Sequence, residues 1–282
     1  MAEQIFINSV VLGATIALMA VGLNLIFGIL QIVNFWHGEA YMFGAVIVYS
    51  LLVKAGVNYV PSLVVATVAV GALGWASDKL VFRRFHGNLM GGVIASVALS
   101  LGFQNMMWPI FGPIPRGIPN VVTGKLQILG ATLPLERLLV VIISLVVISS
   151  LALFIKYTKL GKSMRAVQQD SEAALTLGIS ANHVCALTFG IATSLAALAG
   201  ASIAPLYAVE PTMGAAPLML SFIVIILGGM GSIMGAFLAS FIIGFQQSIT
   251  ATFLGGHLAM GISFGLAMLV LIFLPRGLMG HD

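Results

Sequence analysis

Long apolar runs broken by short clusters of Gly, Pro and charge set the pattern of this chain. Taking those clusters as breaks predicts helical segments at 7–30, 39–54, 61–82, 89–111, 137–155, 183–207, 216–230, 232–253 and 258–274. None shows the ten-residue alternation of a transmembrane barrel. The longest stretch without Asp, Glu, Lys or Arg, residues 211–275, has room for about three crossings at roughly 20 residues each. Segments 39–54 and 216–230 are too short for a full crossing. Each follows broken, polar or Pro/Gly-containing backbone, the kind of arrangement that lines a cavity. One such piece in each half hints at an internal duplication. The first run, residues 5–30, lacks a basic flank and is too long for a signal core, so it reads as a retained span.

Composition fixes the solvent. Hydrophobic residues make up 60% and charged residues 7%, with a mean hydropathy of +1.13. Soluble domains carry about 25% charge, so this chain cannot cover a watery surface. The expected fold class is an all-α polytopic transmembrane helical bundle of about eight or nine membrane segments, two of them short broken helices. It forms one domain over residues 1–282. Lys79, Arg83, Arg84, Lys156, Lys159, Lys162, Arg165 and Arg276 fall on one side, against Lys54, Arg116, Lys125 and Arg137 on the other. The richer side marks the cytoplasm. Nine crossings then leave the amino terminus outside, the carboxyl terminus inside, and the proline-rich 112–136 loop facing outward as a partner-docking surface. Cys185 is the single cysteine, which excludes an internal disulfide and a CxxC site.

Little catalytic chemistry is visible. Gly161-Lys162-Ser163 resembles the end of a phosphate-binding loop, but Lys156 stands where that motif needs its first glycine and no strand precedes it. His37, His86, His183, His257 and His281 lack metal-ligand spacing, and no serine or cysteine has an adjacent base. Small-residue pairs such as Gly231 with Gly235 and Gly261 with Gly265 are taken as helix-packing contacts. Polar residues in apolar runs must face protein or water, which makes Asn24, Gln104, Asn105, Gln246 and Gln247 pathway candidates beside cross-helix hydrogen bonding as their ordinary role. Gln246 and Gln247, being adjacent, are expected to point in different directions. Asn34, His37 and Glu39 lie in the break after the first span. Asn34 and Glu39 join the pathway candidates, with capping of the following short helix the favoured role for Glu39. No buried series of Asp, Glu and Lys suggests a proton relay.

The 170–178 segment is a short polar helix in a basic loop. Asp170 or Ser171 serves as N-cap, Glu172 sits in the first turn against the helix dipole, Ala173 and Ala174 give a close-packing face, and Gly178 is the left-handed stop. Such a Glu-Ala-Ala-x-x-x-Gly element suits docking onto another protein. Together with Gln-Ile-Val-Asn-Phe-Trp-His-Gly-Glu-Ala-Tyr-Met-Phe-Gly-Ala at 31–45, Gly161-Lys-Ser-Met-Arg165-Ala, and Leu227-Gly-Gly-Met-Gly-Ser232-x-x-Gly235-Ala, it resembles the LivH-type permeases of branched-chain amino acid ABC importers.

That resemblance implies the ABC importer permease fold, a bacterial inner-membrane location and a heterodimer with a LivM-like second permease. It also implies two cytoplasmic ATPase subunits, an external substrate-binding protein and a small-molecule substrate, with no nucleic acid among the partners. It implies no cofactor on this chain; ATP and Mg belong to the ATPases. Carried over by position, Arg165, Asp170, Glu172, Ala173, Ala174 and Gly178 form the ATPase-coupling site within a cytoplasmic loop, 156–183. The tail departs from the family's Arg-Pro-x-Gly-Leu, reading Leu274-Pro275-Arg276-Gly277-Leu278. The same branch includes permeases for urea, short amides, polar amino acids and aromatic acids, because the binding protein selects the ligand. A stand-alone channel or secondary carrier, suggested by the broken segments, and an intramembrane enzyme are the competing readings; neither explains the coupling sequence.

Overall fold

The computed structural model describes residues 2–119, 121–122, 124–128, 131–274 and 277–279. His281, Pro275 and Arg276 lie outside the described residues. Eleven α-helices dominate: α1 (Ala2–Leu30), α2 (His37–Tyr49), α3 (Tyr59–Leu80), α4 (Leu89–Phe111), α5 (Leu135–Tyr157), α6 (Lys159–Gln169), α7 (Ser171–Thr176), α8 (Ala181–Ile203), α9 (Ala215–Gly228), α10 (Ile233–Phe253) and α11 (Gly256–Phe273). Six of them, α1, α3, α4, α5, α8 and α10, are long and apolar enough to cross a membrane. The 112–136 loop carries one addition to the all-α expectation, a hairpin of β1 (Lys125–Ile128) and antiparallel β2 (Ala131–Pro134). Glu136 accepts from Val121 N (2.7 Å) and Gln4 accepts from Thr132 N (3.2 Å), which tie the loop to α5 and the hairpin to the start of α1.

Contacts sort the bundle into two ends. At one, α6 lies against the foot of α1, and Phe82 packs on Phe189 near the start of α8 at 4.7 Å. At the other, Tyr59 donates to Ser202 O (3.2 Å) and Arg137 donates to Asn8 Oδ1 (2.7 Å). The first end collects Lys79, Arg83, Arg84, Lys156, Lys159, Lys162 and Arg165 and is called the basic end below. Among the described residues the chain passes between the ends nine times, seven as continuous helices and two as loop followed by a short helix. These two are α2, with 13 residues, and α9, with 14. At 1.5 Å per residue each is about 20 Å long, against a hydrocarbon core of about 30 Å.

The core is built on small residues. Helices α1 and α8 are buried for most of their length, and α8 presents Gly190, Ala192, Ala196, Ala197 and Gly200 to α1, α2 and α3. A Cβ on Gly44 of α2 would lie 2.6 Å from the Ala197 carbonyl carbon, so these two backbones are in direct contact. Such approach replaces the hydrophobic drive that lipid denies to helix pairs. Gly235 packs on Gly228 in this manner, whereas a Cβ on Gly261 or Gly265 meets nothing within 4 Å among the described residues. Six-residue α7 is too short for such burial and is fixed by its cap instead.

Candidate functional site

The amino ends of α2 and α9 meet in the interior. A Cβ on Gly38 would sit 3.1 Å from Gly214 O, and His37 donates from Nε2 to Met19 O (3.1 Å) halfway along α1. Two helix amino termini, each carrying roughly half a positive charge, therefore converge at one point. Leading into it, Gln31 ends α1 in the left-handed region (φ 53°) and Asn34 Oδ1 accepts from Trp36 N (3.1 Å). Glu39 does not cap α2. Its Oε1 accepts from Ser100 Oγ of α4 (2.9 Å), because the side chain leaves the helix sideways toward α4. Asn34 Nδ2, Trp36 Nε1, His37 Nδ1 and Glu39 Oε2 are buried without partners, four of six such atoms among the described residues. Each unmet group costs about 1–3 kcal/mol, so the cost is concentrated in one six-residue element.

Cavities flank this junction along the seam of α1 and α9. Toward the end opposite the basic one lies a cavity of about 460 Å³, bordered by Ile16, Tyr41, Glu210, Ala216 and Leu220 among others. Toward the basic end lies one of about 260 Å³ with an apolar lining that includes Phe27, Phe35, Phe222 and Met230. A larger cavity, about 820 Å³, is an apolar groove on the outer wall between α1, α5 and α10 and suits lipid chains better than a polar solute.

At the basic end Thr158 caps α6 and Asp170 caps α7, its Oδ1 accepting from Glu172 N and Ala173 N (both 2.9 Å). Gly178 ends the segment at φ 80°. Ala174 is buried; Ala173, Glu172, Leu175 and Leu177 are exposed, the last at 78%. Arg165 points back into the bundle and donates to Ile155 O. Gln168 donates to Gly231 O (3.3 Å), and Asn24 of α1 clasps the same turn, donating to Ser232 O (2.7 Å) and accepting from Gly231 N (2.8 Å). That turn joins α9 to α10, so α6, α1 and the foot of α9 share one node.

Residues 5–273 match the family described as branched-chain amino acid transport system / permease component. The chain belongs to this family. It is 32% identical to the high-affinity branched-chain amino acid transport system permease protein BraD of Pseudomonas aeruginosa and 30% identical to the permease protein LivH of Escherichia coli K12, each over 99% of this chain and 95% of the relative. A probable branched-chain amino acid transport permease protein LivH of Methanocaldococcus jannaschii is 23% identical over 99% of the chain and 93% of its own length. No solved structure matches. The chain is thus a multi-pass helical transport permease, a non-enzymatic class.

Within this permease the sequence candidates separate. Asn34 and Glu39 lie at the junction. Asn24 belongs to the basic-end node with both amide atoms occupied. Gln104 and Asn105 lie on weakly packed α4, Asn105 exposed and turned back to Leu101 O (2.7 Å). Gln246 donates to Ala259 O (3.1 Å) and accepts from Ser263, while Gln247 donates to Ser263 Oγ (2.8 Å). Both glutamines therefore reach the same helix, against expectation: successive residues diverge on a helix, yet two long side chains converge on one hydroxyl. Gln246→Leu is expected to lower the unfolding free energy of the detergent-solubilised permease by about 1 kcal/mol, the scale of intramembrane hydrogen bonds; an unchanged thermal midpoint would refute this tie. Tyr41, Tyr207 and Glu210 escaped the sequence reading, since three ordinary residues far apart in the chain carry no local motif.

Proposed function

We propose that this chain forms half of the translocation pathway of an ATP-binding-cassette importer for branched-chain or related amino acids in a bacterial inner membrane. A LivM-like permease supplies the other half, an external binding protein delivers the substrate, and two cytoplasmic ATPase subunits hydrolyse ATP with Mg. The basic end faces the cytoplasm, in keeping with its excess of Lys and Arg. The observation that carries this reading is the continuous connection from the coupling segment through the Gly231 turn to α9, whose far end abuts α2 at Gly38.

The mechanics follow from rigidity. The tip of α7 offers exposed Ala173, Leu175 and Leu177 beside Glu172, a small apolar knob with one charge, suited to a groove on an ATPase. Closure of the ATPase pair displaces α7 and with it α6. Gln168 draws the 229–232 turn along, and α9 transmits the shift over about 20 Å because a hydrogen-bonded helix keeps its length. At the junction the unpartnered groups of residues 34–39 exchange burial for hydration as the seam opens on the other side. Three hydrogen bonds at the node, each about 1 kcal/mol, match the 1–3 kcal/mol typical of coupling between sites.

The test is leucine uptake into liposomes holding the chain with its partner subunits. Uptake is expected only with ATP, the binding protein and both permeases present. Uptake by this chain alone would establish the channel or carrier reading instead, and uptake of urea or short amides but not leucine would shift the substrate within the same family.

A further inference from the structure

We propose that the cavity between Tyr41, Glu210 and the first turn of α9 is a transit site for a zwitterionic amino acid with an aliphatic side chain. This rests on the importer reading and assigns it a place and a recognition chemistry. At about 460 Å³ the cavity falls in the usual range for small-molecule sites, roughly 300–1,000 Å³.

Its lining mixes apolar and polar groups. Leu12, Ile16, Ile203 and Leu220 form an apolar wall. Among the described lining residues Glu210 carries the only full charge, and Thr212 donates to its Oε1 (3.2 Å). The backbone beside Glu210 is fixed as well: Val209 and Arg116 exchange hydrogen bonds of 2.8 and 3.0 Å, which pin this loop to the outer segment. Tyr41 is 3% exposed, yet its hydroxyl bonds to no other described residue and its side chain borders the cavity. A phenol hydroxyl that no described residue satisfies, on a side chain bordering an open cavity, is free for a ligand or water. Ala216 also borders it, in the first turn of α9, and supplies the one N–H there without an acceptor among the described residues: Ala215 N donates to Thr212 O (3.1 Å), Pro217 has none, and Leu218 N donates to Gly214 O (3.1 Å).

These groups complement a zwitterion. The ammonium goes to Glu210, the carboxylate to the Tyr41 hydroxyl and the amino end of α9, and the side chain to the aliphatic wall. An acidic amino acid would place a second negative charge in a site that already holds Glu210, and an alkyl chain alone would leave the polar groups unmet. The location beside the α2–α9 junction puts the occupant where the seam opens.

The experiment uses the full chain in nanodiscs, with Cys185→Ala and Ala208→Cys providing one reporter thiol at the rim and L-leucine as the probe. At leucine ten-fold above its dissociation constant, maleimide labelling is expected to slow about ten-fold. 4-Methylpentanoate and isopentylamine, which each lack one charge, and L-glutamate should not protect. Glu210→Gln should weaken leucine protection about ten-fold, and Leu220→Trp should abolish it by filling the cavity. No protection by leucine, equal protection by the singly charged analogues, or protection surviving Leu220→Trp would overturn the site. Binding of tritiated leucine to the unaltered chain gives a second readout that requires no substitution; absence of saturable binding also overturns it. ATP-driven uptake by the intact complex is measured in parallel. Uptake without protection refutes the cavity alone, whereas protection without uptake refutes the importer reading.

Discussion

Gly44→Val is expected to leave no folded permease. A Cβ there would stand 2.6 Å from the Ala197 carbonyl carbon and 2.7 Å from its Cα, and a β-branched side chain adds two further methyl groups. Relief requires moving backbone, because helix α8 is enclosed by α1, α2 and α3 and cannot retreat. Overpacking of a close-packed interior costs about 1–3 kcal/mol even where side chains can yield. Here two main chains collide, so more than about 3 kcal/mol is expected, a large share of the 5–15 kcal/mol that holds a typical protein together. Short α2 cannot hold its place without α8. The measurement is the yield of monodisperse protein in detergent and its thermal midpoint, with Gly102→Val as control, since a Cβ at Gly102 meets nothing within 4 Å. Equal yields and midpoints for the two variants would disprove the backbone contact.

Glu172→Arg is expected to spare the fold and disable transport. The cap of α7 belongs to Asp170, which keeps both of its hydrogen bonds when Glu172 is changed. The exposed carboxylate contributes only its favourable place at a helix start, about 0.3–1 kcal/mol. Reversing its charge at a docking surface juxtaposes the wrong sign against a partner selected for the right one, a penalty of several kcal/mol. Leucine uptake by the reconstituted complex should fall at least about ten-fold, since 1.4 kcal/mol already suffices for that factor. The stimulation of ATP hydrolysis by loaded binding protein should vanish with it. Retention of both would remove the ATPase-docking assignment of α7.

Much of the bundle was legible because lipid demands so much of a sequence. Each long apolar run became a helix, with ends within a few residues of the charge and Gly/Pro clusters, and the broken segments at 39–54 and 216–230 became short helices. The Asp170 cap and Gly178 stop were equally visible, since both work through bonds to residues two to four positions away. What depends on distant partners was hidden. Glu39 reads as a cap until Ser100, 61 positions on, takes its oxygen. The convergence of Gln246 and Gln247 needs Ser263, and the cavity draws on α1, α2, the 203–212 segment and α9 together. Gly261 and Gly265 show the reverse case, a pattern that promises contact and finds none among the described residues. The small hairpin was unreadable because four-residue strands inside a loop leave no period to detect.

The brevity of α2 and α9 also bears on how the polypeptide enters the bilayer during synthesis. Segments of 13 and 14 residues fall below the roughly 20 that partition unaided into hydrocarbon, and α2 brings His37 and Glu39 with it. Neither can be released into lipid by itself as it leaves the ribosome. Each must be ushered in beside longer neighbours, α2 after α1 is embedded and α9 after α8. Biogenesis is thereby ordered, with each half-length piece entering only once the long helix before it is in place.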